Sequence, residues 1–176
     1  IKDLYGVQGI IAGTELYSSN ILDQLPNLRV ISRLGVGMDN IDLDVACKKG
    51  ILVFKTNTTP AKAVAELSLG LMIDVQRKIS RQFNKLTIGT WNKEMGSLLS
   101  GKTLGIIGLG VIGKNLVELV SGFNFNVLAF DLVEDASFKI KHNINYCSLD
   151  NLLKRSDIIS VHLNLSKYTR NILNKE

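Results

Sequence analysis

The sequence predicts an α/β protein with open parallel sheets, and three observations indicate this fold class. Short apolar runs punctuated by glycine recur along the chain, which is typical of strands buried on both faces. Segments with helix start and stop signals lie between these runs. A stretch over residues 80–101, rich in glycine, serine and charge, divides this alternation into two halves.

The first half predicts three strands, with a helix between the second and the third. Asp42 is placed to cap that helix, Lys48 and Lys49 lie in its last turn, and Gly50 follows its end. A crossover of this kind joins parallel strands. The strands are expected over residues 6–13, 27–35 and 51–56.

One long helix is predicted next, from about residue 60 to residue 80. Thr59 is a suitable cap, Pro60 suits the first helical position, and apolar residues continue at helical spacing to Ile79. Apolar density falls after this helix, which marks a boundary. We therefore expect two domains, residues 1–76 and residues 77–176.

The second half alternates more regularly, and Ser148 is placed to cap its second helix. Repeated strand–helix–strand units of this kind build an open, doubly wound parallel sheet. The predicted strands are 103–108, 126–131, 144–147 and 157–163, and the predicted helices are 111–122 and 148–156.

Composition excludes several classes of protein. Of the 176 residues, 45% are hydrophobic and 21% charged, which is ordinary globular usage. The densest apolar stretches are too short or too rich in glycine to cross a bilayer. Cys47 and Cys147 stand far apart, with no cysteine or histidine at metal-ligand spacing. We expect a cytoplasmic protein without a metal site.

The net charge of +5 is compatible with nucleic acid, with an anionic small molecule or with no specific partner. The basic residues are scattered along the chain, whereas nucleic-acid grooves use dense basic runs interleaved with aromatic residues. Nucleic acid is therefore not expected as a partner, and neither is a membrane.

A glycine motif of the spacing G-x-G-x-x-G follows the first strand of the second half. Gly108 permits the tight turn, Gly110 lets a pyrophosphate approach the backbone, and Gly113 lets the helix pack closely on the strand. The amides of Val111 and Ile112 then face the phosphates at the start of a helix. The pattern predicts a Rossmann-type dinucleotide site, although a glycine turn that merely packs a helix on a sheet has the same spacing.

Asp131 ends the next strand, close to the separation expected of the residue that binds the adenine ribose. Its carboxylate accepts hydrogen bonds from the ribose hydroxyls of NAD and repels the additional phosphate of NADP. No arginine follows within residues 132–135 to reverse that preference. The predicted cofactor is therefore NAD, and a flavin is less favoured.

Residues 32–53, 63–67, 101–114 and 156–174, together with Asp131, resemble the D-isomer-specific 2-hydroxyacid dehydrogenase family. The resemblance implies a flavodoxin-like substrate domain, present here in part, beside a Rossmann-type NAD domain. It also implies a small anionic 2-hydroxy or 2-oxo acid as substrate and hydride transfer between its C2 and the nicotinamide. The motifs are most similar to the branch of the family that oxidises D-3-phosphoglycerate for serine biosynthesis. Reductases of hydroxypyruvate, glyoxylate or another 2-oxo acid, and the NAD-sensing corepressor relatives, remain alternatives.

The resemblance also assigns substrate and cofactor contacts. It implies that the backbone amides of Gly35, Val36 and Gly37 bind the substrate carboxylate, with Arg33 adding charge nearby. The alternative without a binding function is that the glycines only turn the chain and that Arg33 is a surface residue. Thr56 matches the family threonine beside the nicotinamide. The residues after Thr56 depart from the family pattern, which leaves substrate contacts from this loop open.

Leu163 takes a position that contacts the cofactor in the family, although the proline expected after it is Asn164. His162 is expected to be a strand-end histidine satisfied by the backbone and not a catalytic base.

The family's catalytic arginine, glutamate and histidine lie downstream of the segment that matches residues 169–174, which places them beyond Glu176. We therefore expect no catalytic residue here and a chain that is a piece of an enzyme and inactive by itself. His142, in a polar loop, has no glutamate partner in its sequence neighbourhood. The family also implies a homodimer through the long helix, and burial within the chain explains the apolar residues of this helix equally well.

Overall fold

The computed structural model describes residue 4 and residues 6–58 and 60–174. The chain forms two compact units. The first consists of residues 1–59 and 164–176, and the second of residues 60–163. Each unit contains one parallel sheet.

The first unit has a three-stranded sheet in the order β1-β2-β3. Ile31, at the centre of β2, pairs with Ile10 and Val53 in register and is completely buried. The predicted cap is present, because the Asp42 carboxylate accepts a hydrogen bond from the amide of Val45 at 3.1 Å. The elements are β1 (Gly9–Ala12), α1 (Ser19–Asp23), β2 (Val30–Arg33), α2 (Leu43–Lys48) and β3 (Leu52–Lys55).

The second unit has a four-stranded parallel sheet in the order β6-β5-β4-β7. This is the order of the first four strands of a Rossmann sheet, in which the direction of strand addition reverses between β4 and β7. The predicted fold class is confirmed. The elements are α3 (Ala61–Arg77), α4 (Ile79–Thr87), β4 (Thr103–Ile107), α5 (Val111–Leu119), a 3₁₀ turn (Ser121–Phe123), β5 (Asn126–Phe130), α6 (Ala136–His142), β6 (Asn145–Tyr146), α7 (Leu149–Arg155) and β7 (Ile158–Val161).

Strand β4 is the centre of the second unit and is covered on both faces. Leu104 and Ile106 share one core with α3 and α5, whereas Ile107 packs in another core with Leu128 and Leu152. Burial on both faces explains why β4 has the continuous apolar sequence from which the strand was predicted.

The predicted long helix is two helices, which corrects the sequence interpretation. α3 ends at Arg77, and its C-cap residue Lys78 has a left-handed φ of 55°. α4 then runs from Ile79 to Thr87 and so extends into the stretch from residue 80 that was predicted to be a connection. The Asp74 carboxylate accepts hydrogen bonds from the amide and the hydroxyl of Ser80, at 2.6 and 2.7 Å. This side chain satisfies the first turn of α4 and so favours the break. Pro60 precedes the first helical residue, and Thr59 lies outside the described residues.

α3 lies in the second unit because Ala65 and Met72 share a core with Leu116 of α5. The sequence interpretation had grouped residues up to 76 with the first half. The assignment of one domain to substrate and the other to NAD remains a prediction.

Helix α6 is absent from the sequence prediction, which placed His142 in a polar loop. Asp135 caps this helix by accepting a hydrogen bond from the amide of Phe138 at 3.0 Å. His142 is the last residue of α6, and its Nε2 lies 3.8 Å from Oε1 of Glu118. Folding therefore brings a glutamate that is distant in the sequence close to His142, although Nε2 makes no hydrogen bond among the described residues. The pair is formed between the C-terminal ends of α5 and α6, which lie opposite the carboxyl ends of the strands in such folds.

Among the described residues, no helix combines the length and the apolar character that a membrane span requires.

Candidate functional site

The carboxyl ends of β4 and β7 meet at Gly108, where the order of the sheet reverses. Gly108 has a φ of +91°, and a Cβ added to it would lie 2.7 Å from the carbonyl oxygen of His162. The same Cβ would lie 2.9 Å from Cδ2 of Leu163. Open α/β sheets bind their ligands in the crevice outside the carboxyl ends of the strands at this reversal. The predicted residues Gly108 and Leu163 are thus adjacent at the point where a ligand is expected.

Gly110 differs from Gly108 because it faces open space. It is exposed, it precedes the first residue of α5, and a Cβ added to it would meet no atom within 4 Å. The amides of Val111 and Ile112 belong to the first turn of α5, where no carbonyl lies four residues back in the helix. These amides and the positive end of the helix dipole suit a phosphate group.

Gly113 is buried and faces the protein interior. A Cβ added to it would lie 2.7 Å from the carbonyl oxygen of Gly108 and 3.2 Å from Cγ2 of Ile106. The close contact of α5 with β4 therefore requires glycine at this position. The three glycines meet the three geometric requirements of a dinucleotide loop, and their contacts with NAD remain a prediction.

Asp131 connects the end of β5 to the glycine loop. Its Oδ2 accepts a hydrogen bond from the amide of Leu109 at 2.7 Å, and its Oδ1 accepts one from the amide of Val133 at 3.3 Å. A carboxylate has about four lone-pair positions, so two remain for ribose hydroxyls. The geometry fits NAD, with Asp131 both shaping the loop and offering acceptors.

In the first unit, Thr56 holds the loop that follows β2. The amide of Gly35 donates to Oγ1 of Thr56 at 3.0 Å, and this hydroxyl donates to the carbonyl oxygen of Arg33 at 3.3 Å. The Gly35 amide is therefore engaged within the loop. No hydrogen bond among the described residues engages the amides of Val36 and Gly37, which leaves these two available for a carboxylate.

Arg33 is positioned by Asn40, a residue that the sequence analysis missed. Nε of Arg33 donates to Oδ1 of Asn40 at 3.3 Å, and the guanidinium also donates to the carbonyl of Leu34. Nδ2 of Asn40 in turn donates to the carbonyls of Gly13 and Glu15, at 3.2 and 2.7 Å. An asparagine in an irregular loop has no periodic signal, so only the fold reveals this contact.

His162 follows β7 and is half-buried. A ring nitrogen, Nε2, lies 2.9 Å from Oγ of Ser160, so the ring has a hydroxyl partner where the sequence analysis expected the backbone. The described residues give it no carboxylate partner. Burial lowers the pKa of His162 below its ordinary value.

We expect this histidine to make stability depend on pH. The folded state holds the ring neutral, whereas the unfolded chain takes up a proton near pH 6.5. The contribution of His162 to the free energy of unfolding should be fully present above that pH, and it should be lost as the pH is lowered toward the folded pKa. Thermal unfolding from pH 8 to pH 5 should show a smaller decrease for His162→Asn. An equal decrease in both proteins would contradict this assignment.

The resemblance places the catalytic arginine, glutamate and histidine beyond Glu176, and Glu176 itself lies outside the described residues. Their position therefore stays a prediction. Among the described residues, His162 lies beside Gly108 of the glycine loop but has no carboxylate partner. His142 lies 3.8 Å from the Glu118 carboxylate, but at the opposite end of α5 from the glycine loop.

The comparison with known families decides what the glycine loop belongs to. Residues 69–176 match the model of the D-isomer specific 2-hydroxyacid dehydrogenase, NAD binding domain. The chain belongs to this dehydrogenase family. Its members are NAD-dependent 2-hydroxyacid dehydrogenases, and NAD is the cofactor of the matched domain.

Relatives in the dehydrogenase family differ in substrate. The chain is 38% identical to hydroxypyruvate reductase of Thermotoga maritima, over 95% of this chain and 54% of that protein. It is 35% identical to D-3-phosphoglycerate dehydrogenase of Methanocaldococcus jannaschii, over 100% of this chain and 34% of that protein. D-lactate dehydrogenase of Aquifex aeolicus, solved with NAD and lactic acid, has a TM-score of 0.80 and 30% identity. That match covers 96% of this chain and 51% of the solved one.

The chain thus spans about half the length, or less, of these dehydrogenases. The family and the cofactor follow from the matched residues. The substrate does not, because the relatives act on different 2-hydroxy or 2-oxo acids.

Proposed function

We propose that the protein containing this chain is an NAD-dependent oxidoreductase that acts on the CH–OH group of a D-2-hydroxy acid. The observation that carries this proposal is the open position at Gly110, between the first turn of α5 and Asp131. A Cβ is absent where a pyrophosphate must approach, and acceptors stand where a ribose must bind. NAD, when bound, supplies the hydride acceptor for C2 of the substrate.

In this proposal the predicted cofactor-binding residues of the second unit have distinct functions. Gly108 and Gly113 hold the loop close to β7 and α5, and Gly110 leaves room for the pyrophosphate. The amides of Val111 and Ile112 bind its oxygens. Asp131 binds the adenine ribose, and Leu163, beside Gly108, provides an apolar contact to the cofactor.

The first unit is proposed to bind the substrate. The amides of Val36 and Gly37 bind the carboxylate, because the Gly35 amide is already engaged by Thr56. Arg33, oriented by Asn40, adds a positive charge. Gly35 then acts by shaping the loop, with a φ of +150° that disfavours any other residue. The contact of Thr56 with the nicotinamide remains a prediction from the resemblance.

We propose D-3-phosphoglycerate as the substrate, with hydroxypyruvate and glyoxylate as the alternatives to be tested beside it. The motifs resemble that branch, and a relative named D-3-phosphoglycerate dehydrogenase aligns over the whole chain. We assign no catalytic residue within these 176 residues. NADH-dependent reduction of 3-phosphohydroxypyruvate, hydroxypyruvate and glyoxylate by the whole protein would rank the substrates. NAD binding without turnover of any of them would favour a corepressor-like function.

We expect the chain to bind NAD and to discriminate against NADP by at least about tenfold, because the Asp131 carboxylate repels the 2′-phosphate. Calorimetric titration with both nucleotides measures this preference. Asp131→Asn should reduce the preference, since the amide retains an acceptor but carries no charge. Asp150→Asn, which changes the same charge in the first turn of α7, is the matched control. Equal affinity of the unsubstituted chain for both nucleotides would contradict the task of Asp131.

We further propose a homodimer through α3 and α4. Apolar side chains recur every four residues along both helices and are at least half exposed, from Leu67 at 62% to Phe83 at 62%. Exposed apolar side chains in such number are typical of an interface. The side chains are Leu67, Leu71, Val75, Ile79 and Phe83.

Light scattering should give the mass of two chains for the protein, and the mass of one after Val75→Glu. Ile140→Glu on α6, where the apolar side chain is 81% exposed, is the matched control and should remain dimeric. A monomeric unsubstituted protein would contradict the proposal.

We also propose a cytoplasmic location, because Cys47 and Cys147 are both free thiols. Fractionation of cells that express the protein, followed by detection with an antibody, tests this location.

A further inference from the structure

Two acidic residues in the loop after Asp131 form ion pairs with lysines of α5 and α6. Lys114 lies one turn into α5, and its amide donates to the carbonyl of Gly110 at 2.9 Å. Its Nζ lies 2.5 Å from Oδ2 of Asp135. Lys139 of α6 pairs with Glu134, with 3.4 Å between Nζ and Oε2.

Several contacts fix the pair of Lys114 and Asp135. Oδ1 of Asp135 accepts hydrogen bonds from the hydroxyl of Ser137 and the amide of Phe138, at 2.6 and 3.0 Å. The amide of Asp135 donates to the hydroxyl of Tyr146 at 3.1 Å. The ammonium of Lys114 also lies 5.3 Å from the centroid of the Phe138 ring, within the range of a cation–π contact. The hydrogen bond from Lys114, followed by those from Ser137 and Phe138, holds the pKa of Asp135 well below its usual range.

This pair joins the two segments that flank the proposed adenosine site, the glycine loop with α5 and the loop after β5. Rossmann-type sites that accept NADP place a cation close to the adenine ribose, where it binds the 2′-phosphate. Lys114 carries such a cation next to the glycine loop. Its charge is directed to Asp135, and that of Lys139 to Glu134. Among the described residues of the loop, Asp131 then keeps a carboxylate that no lysine or arginine pairs with.

We propose that Asp135 is a positioning residue for cofactor specificity, which withholds Lys114 from a phosphate on the adenine ribose and so disfavours NADP. This inference rests on the proposed binding of NAD at the glycine loop. Exclusion of NADP then has two parts, repulsion by Asp131 and the engagement of the nearby cation by Asp135.

Asp135→Asn is the informative variant, because asparagine caps a helix as well as aspartate does but does not neutralise a lysine. The probes are ADP-ribose and 2′-phospho-ADP-ribose, which contain the adenosine half of each cofactor, titrated by calorimetry into the full chain. We expect Asp135→Asn to raise the affinity for the phosphorylated probe, relative to ADP-ribose, by about tenfold. Thermal unfolding confirms that each variant is folded.

Two further variants separate the action of Lys114 from a change in net charge. Lys114→Gln combined with Asp135→Asn should lose the gain, because the released cation is gone. Glu118→Gln removes a carboxylate from α5 that lies 3.7 Å from Lys141 and 3.8 Å from His142, and it should leave the ratio of affinities unchanged. A structural effect of Asp135 alone would alter both probes equally and would not change their ratio.

The outcomes are distinct. An unchanged ratio in Asp135→Asn, while the unsubstituted chain binds ADP-ribose, overturns this inference and leaves the proposed function intact. The inference is also overturned if the gain persists without Lys114 or if Glu118→Gln produces the same gain. Failure of the unsubstituted chain to bind ADP-ribose overturns the proposed function and this inference with it.

Discussion

Gly110→Ala is expected to lower the affinity for NAD by about tenfold to a hundredfold while the fold and its stability are retained. The added methyl group occupies the open position that the pyrophosphate needs, and crowding of this kind costs about 1–3 kcal/mol. The φ of −76° at Gly110 is one that alanine adopts without strain, and the Cβ meets no atom within 4 Å. Calorimetric titration with NAD, beside thermal unfolding, measures both effects.

Gly122→Ala is the matched control for this substitution. Gly122 lies in the 3₁₀ turn after α5, and an added Cβ there also meets no atom within 4 Å. We expect this variant to bind NAD as the unsubstituted chain does. Undiminished binding by Gly110→Ala would show that no ligand approaches this backbone.

Gly108→Ala, unlike Gly110→Ala, is expected to destabilise the fold. It should lower the free energy of unfolding by about 3 kcal/mol, in the range that strain and overpacking together produce. The φ of +91° disfavours a side chain, and the Cβ would overlap the carbonyl oxygen of His162 at 2.7 Å. That oxygen belongs to the backbone at the end of β7, so it cannot yield as a flexible side chain does. Denaturation by urea measures the loss.

Gly101→Ala separates the two causes. Gly101 has a similar φ of +76°, but a Cβ added there meets no atom within 4 Å. This variant should lose only the contribution of backbone strain, about 1 kcal/mol. If both variants lost the same amount, the contact between Gly108 and β7 would contribute nothing to stability.

Much of the fold was predictable because its signals are local. The continuous apolar sequence of β4 reflects burial on both faces, and the caps Asp42 and Ser148 are recognised from the residues that follow them. The spacing from the glycine loop to Asp131 is also a local pattern, because the helix and strand between them have regular lengths.

The sequence analysis misplaced two helices, each for a different reason. Apolar spacing continues through Lys78 as if one helix ran on, but Asp74 binds Ser80 and a second helix begins. Helix α6 is short and has no buried residue among its seven, so it lacks the apolar periodicity from which helices are predicted. Because α6 was not predicted, the position of its last residue, His142, beside Glu118 was not predicted either.

The sequence by itself determined the fold class, the family and the glycine motif with its aspartate, since each depends on residues close together in the chain. The tertiary structure alone decided which glycines tolerate a side chain and which amides remain available. The neighbours that decide these points come from distant segments, as His162 does for Gly108 and Thr56 for Gly35. The engagement of Lys114 by Asp135 is of the same kind, because an ion pair forms only where folding brings two separate loops together.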